Sequence, residues 1–250
     1  MIPAMIEADA PTDTLLGGKV KVSQPADGYR VAVDAVLLAA AVDAGAGERV
    51  LDLGCGVGSV SLCLAWRRPD LRIVGLDREP VFLAHAAANA KANGMAARVT
   101  FVAGDVLDPP DAIRGGFDQA MLNPPYLKAG SATVSAHPLK AAATAEDAAA
   151  LPDWIACARA ALNPGGMLTL IHRADRLGDC LAALRGFGGI AVLPIHPKAD
   201  RPAKRILIRA RLGSGEPLSM LPGFVLHEAD GRFTMAADAI LRAGVALALG

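Results

Sequence analysis

The tetrapeptide Asn123-Pro124-Pro125-Tyr126 directly follows the apolar run Phe117–Leu122 and concentrates hydrogen-bond acceptors in a short stretch. A residue that precedes proline is driven into extended geometry, so Asn123 and Pro124 cannot continue a helix and their carbonyl groups stay available. The Asn123 side-chain oxygen is a further acceptor, and the prolines bring no competing N–H groups. We therefore predict a rigid acceptor cluster beside the Tyr126 ring, suited to a planar NH2 group. An ordinary proline turn is the alternative interpretation.

A second candidate site is the run Val50-Leu51-Asp52-Leu53-Gly54-Cys55-Gly56-Val57-Gly58, which is typical of a buried strand that enters a glycine-rich turn and opens a helix. Glycines allow a ligand to approach the backbone closely, and a helix N-terminus offers N–H groups to a carboxylate or phosphate. Gly54, Gly56 and Gly58 give GxGxG rather than the GxGxxG of dinucleotide sites. The carboxylate of Asp52 would repel a pyrophosphate, so the pattern favours a ligand that carries an ammonium group.

Two more carboxylates follow the next two predicted strands, Asp77 after Leu76 and Asp105 after Gly104. A carboxylate at such a strand end can accept both hydroxyl groups of a ribose or an adenine amino group. Asp77 and Asp105 could equally cap the segments that follow them. Three carboxylates at three successive strand ends favour a ligand site.

Short β-type runs alternate with helix-length segments from Arg49 onward, which predicts an α/β fold with a parallel sheet and helices on both faces. The last two predicted strands are separated only by His196–Lys204, too short for a helical crossover, so we expect them to be antiparallel at one end of the sheet. The predicted strands are Arg49–Leu53, Arg72–Leu76, Val99–Ala103, Phe117–Leu122, Gly166–Ile171, Gly189–Ile195 and Arg205–Arg211. The predicted helices are Val57–Trp66, Pro80–Ala92, Asp153–Ala161 and Leu177–Arg185.

The composition excludes several classes of protein. Of the 250 residues, 53% are hydrophobic, and 25 Lys and Arg balance 25 Asp and Glu, so no global charge attracts a polyanion or a membrane. The four cysteines lack CxxC spacing, which indicates neither a zinc site nor a disulfide framework and fits a reducing cytoplasm. Neither a signal peptide nor a membrane span is expected. We predict a cytoplasmic protein without a metal, and the oligomeric state stays open.

Taken together, the motifs resemble those of class I S-adenosylmethionine-dependent methyltransferases, over residues 32–211. The glycine loop, Asp77, Asp105 and Asn-Pro-Pro-Tyr occupy the ends of the first four core strands in the order that family uses. The resemblance implies a Rossmann-like seven-stranded sheet with an antiparallel last strand, and S-adenosyl-L-methionine as cofactor. It implies that Asp52 and the loop hold the methionine moiety, Asp77 the ribose and Asp105 the adenine. Asp34 resembles an element that closes over the methionine end; a capped buried helix is the alternative.

An Asn-Pro-Pro-Tyr turn in this family implies methylation of an NH2 group conjugated to a π-system. By that resemblance Asn123 and Pro124 accept its hydrogen bonds, while Pro125 and Tyr126 contact the acceptor base. The nearest resemblance is to bacterial adenine-N6 methyltransferases of a valine tRNA. It is carried by residues 27–38, the tetrapeptide and residues 201–209.

The RNA interpretation needs local cations, because the chain has no net charge. We expect phosphate contacts from a cluster around the predicted 196–204 loop: Lys198, Arg201, Lys204 and Arg205. A solvated sheet edge is the alternative. The expected organisation is an N-terminal lid and cofactor-covering helix (1–48), a methyltransferase core (49–211) and a C-terminal extension packed on it (212–250). A protein glutamine N5-methyltransferase and a non-catalytic RNA- or nucleotide-binding protein remain alternative functions.

Overall fold

A computed structural model describes residues 12–25, 33–125 and 149–250. The strands are β1 Thr12–Leu15, β2 Val20–Ser23, β3 Arg49–Leu53, β4 Arg72–Asp77, β5 Val99–Ala103, β6 Phe117–Leu122, β7 Leu162–Arg173, β8 Phe187–Lys198, β9 Arg205–Leu212, β10 Ser219–Met220 and β11 Phe224–His227. The helices are α1 Val33–Ala41, α2 Ser59–Arg67, α3 Pro80–Ala92, α4 Leu151–Ala161, α5 Leu177–Ala183 and α6 Met235–Ala243. Tyr126, predicted to contact the acceptor base, lies outside the described residues.

The large sheet has nine strands within the described part of the chain, in the order β10-β8-β9-β7-β6-β3-β4-β5, with β11 also paired to β8. Seven of them, β3 to β9, are the predicted strands, and β9 is antiparallel to both β7 and β8 as expected. The count of seven strands was wrong because β10 and β11 add to β8 in parallel. These two strands have only two and four residues, too few for a hydrophobic period to reveal them.

Strand direction decides which loops share one edge of the sheet. Strands β3 to β7 are mutually parallel, β8 runs with β7 because both oppose β9, and β11 runs with β8. The carboxyl ends of all these strands, and the loop that enters β9, therefore lie at a single edge. This carboxyl edge carries every predicted site residue that belongs to the sheet.

Two buried clusters cover the two faces of the sheet. One contains side chains of β2, α1, α2, α3 and α6, and the other contains those of α4 and α5. Helices on both faces explain why the central strands are largely apolar, with Leu51, Leu53 and Leu122 fully buried. The predicted α/β layering is confirmed.

A β-hairpin formed by β1 and β2 precedes α1, where the sequence predicted only a lid and a helix. The side chain of Asn89 on α3 accepts from the Ser23 amide (2.8 Å) and donates to the Ser23 carbonyl (2.9 Å). Asn93, one helical turn later, treats the Lys21 backbone in the same way (2.9 and 2.7 Å). These amides replace a strand partner for β2, which is why so short a hairpin is held on a helix.

No helix in the described ranges has the length and apolarity to cross a membrane.

Candidate active site

The glycine-rich turn joins β3 to α2 and is fixed to the neighbouring strand β4. The amides of Gly54 and Cys55 both donate to the Leu76 carbonyl (2.8 and 3.0 Å). Gly54, Gly56 and Gly58 all have positive φ values of 69°, 53° and 83°, a region that side-chain-bearing residues rarely adopt. The turn is thereby held as a rigid backbone surface at the carboxyl edge.

The three glycines differ in what surrounds them. A Cβ on Gly54 would lie 2.7 Å from the Trp154 ring, and one on Gly58 would lie 2.9 Å from Phe101, so these two positions need glycine for packing. A Cβ on Gly56 would meet nothing within 4 Å. The space above Gly56 is therefore open to a ligand, whereas its neighbours hold the turn in place.

Asp77 at the end of β4 braces the same turn. Its carboxylate accepts from the Gly56 amide (2.8 Å) and from the Glu79 amide (3.0 Å). Burial raises the pKa of Asp77, and backbone hydrogen bonds, first that of Glu79 and then that of Gly56, oppose the rise. An ionised carboxylate has about four acceptor positions, so Asp77 can also accept from the hydroxyls of a diol.

Asp52 lies in β3 and is almost fully buried. Its Oδ2 accepts from the Ser61 hydroxyl (2.6 Å) and the Ser61 amide (3.2 Å), which joins β3 to α2. Burial raises the pKa of Asp52 to about 7, while both Ser61 hydrogen bonds lower it. A cationic ligand at this buried carboxylate would stabilise the ionised form.

Ser59 is a candidate ligand residue that the sequence reasoning missed. It is the first residue of α2, and its buried Oγ has no hydrogen-bond partner within the described residues. The helix start has no side-chain cap, so its amide groups and this hydroxyl can meet a carboxylate. The sequence feature that could have identified Ser59 as a ligand residue is its position directly after Gly58, the third glycine of the turn.

The turn can therefore hold an amino acid moiety with both its charges. Ser59 and the α2 N-terminus suit a carboxylate, Asp52 suits an ammonium group, Gly56 leaves room and Asp77 suits ribose hydroxyls. This donor set fits S-adenosylmethionine.

Asp105 takes a local role. Its Oδ1 accepts from the Leu107 amide (2.9 Å), and Asp105 bridges to Asp108 in a tight turn after β5. This contact is the capping alternative considered for Asp105. A contact with the adenine of the cofactor stays a prediction.

The acceptor motif stands beside the glycine turn. Leu53 and Leu122 are paired residues of β3 and β6, so Gly54 and Asn123, the next residues in each chain segment, leave neighbouring strand ends. Adjacent strands are about 4.8 Å apart. Pro124 is buried, and Asn123 and Pro125 are half-buried. A group bound at the turn would thus border the predicted acceptor cluster.

Residues 30–181 match the family model of the methyltransferase small domain. The chain belongs to this family. It is an enzyme that transfers methyl groups and uses S-adenosyl-L-methionine as its cofactor.

Relatives and solved structures agree with the family. The tRNA1(Val) (adenine(37)-N6)-methyltransferase of Porphyromonas gingivalis W83 is 34% identical over 176 residues, 68% of each chain. The release factor glutamine methyltransferase of Moorella thermoacetica is 32% identical over 190 residues, 71% of this chain and 64% of that one. A crystal structure described as a predicted O-methyltransferase, Atu636 from Agrobacterium tumefaciens, superposes with a TM-score of 0.72 at 27% identity, covering 86% of this chain and 98% of that one.

In this methyltransferase, Asp34 and Arg205 are paired with each other. Arg205 Nε donates to Asp34 Oδ2 at 2.8 Å, and the two side chains are 31% and 11% exposed. The pair connects the first turn of α1 to the start of β9. The expected roles of Asp34 at the cofactor and of Arg205 at an RNA phosphate stay predictions.

The other predicted cations of the methyltransferase lie where β8 ends and β9 begins. Lys198 Nζ donates to the Ala229 carbonyl (2.8 Å), Arg201 is 67% exposed beside Asp200, and Lys204 is exposed. All three are at the carboxyl edge. No group of three or more His, Cys, Asp or Glu in the described ranges is arranged to hold a metal ion.

Proposed function

We propose that this methyltransferase transfers a methyl group to the exocyclic N6 amine of an adenine in tRNA, as the Porphyromonas relative is named to do. The observation that carries the proposal is the strand register that brings Asn123-Pro124-Pro125 next to the glycine turn. The motif that can accept hydrogen bonds from an NH2 group therefore lies beside the glycine turn, whose polar groups fit S-adenosylmethionine.

The chemistry follows from the residues of the motif. The bound cofactor supplies an electrophilic methyl group on a sulfonium centre. The lone pair of an adenine N6 is delocalised into the ring, so the amine is a poor nucleophile. Hydrogen bonds from its two N–H groups to the Asn123 side-chain oxygen and the Pro124 carbonyl localise that lone pair and fix its direction. Positioning of this kind supplies up to roughly 7 to 11 kcal/mol in favourable cases.

A strong base is unnecessary, because the proton is acidic once the new N–C bond has formed and water can accept it. Pro124 and Pro125 make the motif stiff, since proline fixes φ. Tyr126 is proposed to stack on the adenine, which would contribute about 1 to 3 kcal/mol. These roles for Asn123, Pro124, Pro125 and Tyr126 all belong to the proposal.

The substrate of the enzyme is proposed to be RNA, met at the carboxyl edge by Lys198, Arg201 and Lys204. Arg201 and Lys204 are exposed and Lys198 is half-buried, and together they supply the local charge that a neutral chain otherwise lacks. Arg205 contributes indirectly, by holding Asp34. With a tRNA substrate, the proposed location of the enzyme is the cytoplasm.

A protein glutamine methyltransferase is the second candidate, because the Moorella relative is similar and an amide NH2 offers the motif the same two donors. The test uses labelled S-adenosylmethionine with either tRNA from a strain deleted for the gene or a release factor. We expect label in the tRNA, recovered as N6-methyladenosine after nuclease digestion. Label in the release factor alone, or no transfer by protein that binds the cofactor, contradicts the proposal.

A further inference from the structure

The segment after β9 forms a second loop at the carboxyl edge of the sheet. Strand β11 pairs in parallel with β8, His227 opposite Lys198, so the turn that follows β11 emerges on the same side as the β8–β9 loop. With strands about 4.8 Å apart, β8 and β11 lie on the order of 15 to 20 Å across the sheet from β6 and its motif. An RNA that reaches Asn123 and extends toward this end of the sheet would pass beside both loops.

The two loops are joined into one surface. Lys198 Nζ donates to the Ala229 carbonyl at 2.8 Å, a contact between residues 31 positions apart. Within the second loop the Glu228 amide donates to the Arg232 carbonyl (2.8 Å), and Gly231 donates back to Glu228 (3.0 Å). This C-terminal corner, residues 227–233, is thus a closed turn rather than a loose tail.

The corner carries a flat aromatic stack. The rings of His227 and Phe233 are 4.7 Å apart and inclined by 22°. Phe233 packs on the core, and the half-buried His227 lies over it at the edge. The stack therefore offers a planar ring at the surface, and unpaired RNA bases stack on such rings without regard to their identity.

Charges around the stack are mixed. The cations of the two loops are Lys198, Arg201, Lys204 and Arg232, and the carboxylates are Asp200, Glu228 and Asp230. Arg232 is 85% exposed and Arg201 is 67% exposed, each beside an exposed aspartate. Exposed ion pairs of this kind are weak and can be exchanged for a phosphate. The small surplus of positive charge indicates modest salt dependence, with stacking as the larger contribution to affinity.

We propose that the C-terminal corner is a second RNA-docking surface of the enzyme, in which His227 stacks on an unpaired or terminal base and Arg232 contacts a neighbouring phosphate. The proposal rests on the tRNA substrate proposed above. It assigns a substrate-binding role to the C-terminal extension, whose other end packs on α1 and α2 through Leu247 and Gly244.

The test measures binding of bulk bacterial tRNA lacking the modification, by fluorescence anisotropy between 50 and 250 mM salt, together with methylation kinetics. For Arg232→Gln we expect a several-fold weaker Kd, and a slope of log K against log salt that is smaller by about 1. For His227→Ala we expect about tenfold weaker binding with an unchanged slope. Both losses should appear in KM for tRNA, because the corner is remote from the reacting amine.

The matched control is Arg242→Gln. Arg242 is 68% exposed, pairs with Asp238 and belongs to the same extension, but it lies at the opposite end of α6 beside the hairpin. Arg242→Gln removes the same charge as Arg232→Gln, but tRNA binding should not change. Melting temperature and cofactor affinity of each variant show whether the fold is intact; a folded His227→Phe variant, which keeps a ring, should recover most of the affinity.

Unchanged tRNA binding by both Arg232→Gln and His227→Ala, with normal methylation by the wild-type enzyme, overturns the docking surface and leaves the proposed function standing. Equal weakening by Arg242→Gln also overturns it, because the effect would then be one of net charge. If the wild-type enzyme binds cofactor but neither binds nor methylates tRNA, the proposed function fails and this surface fails with it.

Discussion

Asp52 carries the most perturbed carboxyl group of the proposed cofactor site. Its pKa rises from 3.8 to about 7 because the side chain is buried, and Ser61 limits that rise. A carboxyl that binds its proton more tightly when folded lowers stability as pH rises from about 4 to about 7. Ionised Asp52 is thus the unfavourable form of the free protein, and it is the form that an ammonium group needs.

The affinity for S-adenosylmethionine should therefore decrease with falling pH. We expect Kd to increase up to tenfold per pH unit below about pH 7, and calorimetric titration between pH 5.5 and 7.5 measures this. Asp52→Asn should bind weakly at every pH with a flat profile. Ser61→Ala removes the hydroxyl that lowers the pKa of Asp52 and keeps the backbone amide, so it should move the midpoint upward. A wild-type profile as flat as that of Asp52→Asn contradicts the assigned role.

Glycine positions in the turn should differ in their cost of substitution. Gly58→Ala combines positive φ (83°) with a 2.9 Å approach to Phe101, whereas Gly47→Ala has positive φ (77°) in open space. Strain alone costs about 1 to 2 kcal/mol, and overpacking adds about 1 to 3. Urea denaturation should show the larger loss in free energy of unfolding for Gly58→Ala. Equal losses would mean that Phe101 moves aside without cost.

At the scale of elements, one side chain on α3, that of Asn89, contacts both the β1–β2 hairpin and the glycine turn. Besides holding Ser23, the buried Asn89 side chain donates to the Val57 carbonyl of the turn (3.0 Å). Asn93 makes matching contacts with the hairpin, and its third hydrogen bond goes to the Asn89 carbonyl within α3 rather than to the turn. Substitutions of the two asparagines therefore distinguish the effect of anchoring the hairpin from the effect of supporting the glycine turn.

Asn89→Ala should weaken both features and Asn93→Ala only one. We expect each substitution to lower the free energy of unfolding, by about 1 to 3 kcal/mol for the buried Asn89 and less for the half-buried Asn93. Only Asn89→Ala should weaken S-adenosylmethionine binding, by about tenfold, as measured by calorimetry. Equal effects on cofactor affinity would show that the hairpin, rather than Val57, supports the turn.

The bounds of an element were predicted correctly where its hydrophobic pattern ended at a residue that breaks regular structure. Strands Arg49–Leu53, Val99–Ala103 and Phe117–Leu122 and helix Pro80–Ala92 have the predicted bounds, because each of them ends directly before a Gly or an Asn. The hairpin β1–β2 was missed, since its partner groups on α3 are 66 to 72 positions away along the chain. No local pattern shows such a contact.

Site prediction had a similar limit. The glycine turn and the carboxylates were visible because they occupy strand ends, which are local features. The pairing of Asp34 with Arg205 joins residues 171 positions apart and was not foreseen, although Asp34 had been chosen for its resemblance to a family element and Arg205 for its charge. Ser59 was overlooked because a serine after a glycine turn has many ordinary roles.

At the scale of the whole molecule, the Asp34–Arg205 pair links helix α1 to strand β9, which begins after the proposed RNA loop. A double-mutant cycle with Asp34→Asn and Arg205→Gln should give a coupling free energy of about 1 to 3 kcal/mol, because the pair is largely shielded from water. The exposed pair Asp200–Arg201 is the matched control and should give less than about 1 kcal/mol. Equal coupling in the two cycles would contradict a structural link through Arg205.

The central claim is that the Asn123 motif binds the acceptor amine beside a separate cofactor site. Single-turnover methylation of tRNA by Asn123→Ala, with cofactor affinity measured on the same sample, tests it most directly. The account predicts a loss in rate of about 100- to 1,000-fold, as for removal of one positioned hydrogen-bonding group from an active site, with Kd for S-adenosylmethionine within about threefold of wild type. A rate within tenfold of wild type, or a rate loss fully explained by lost cofactor binding, would contradict it.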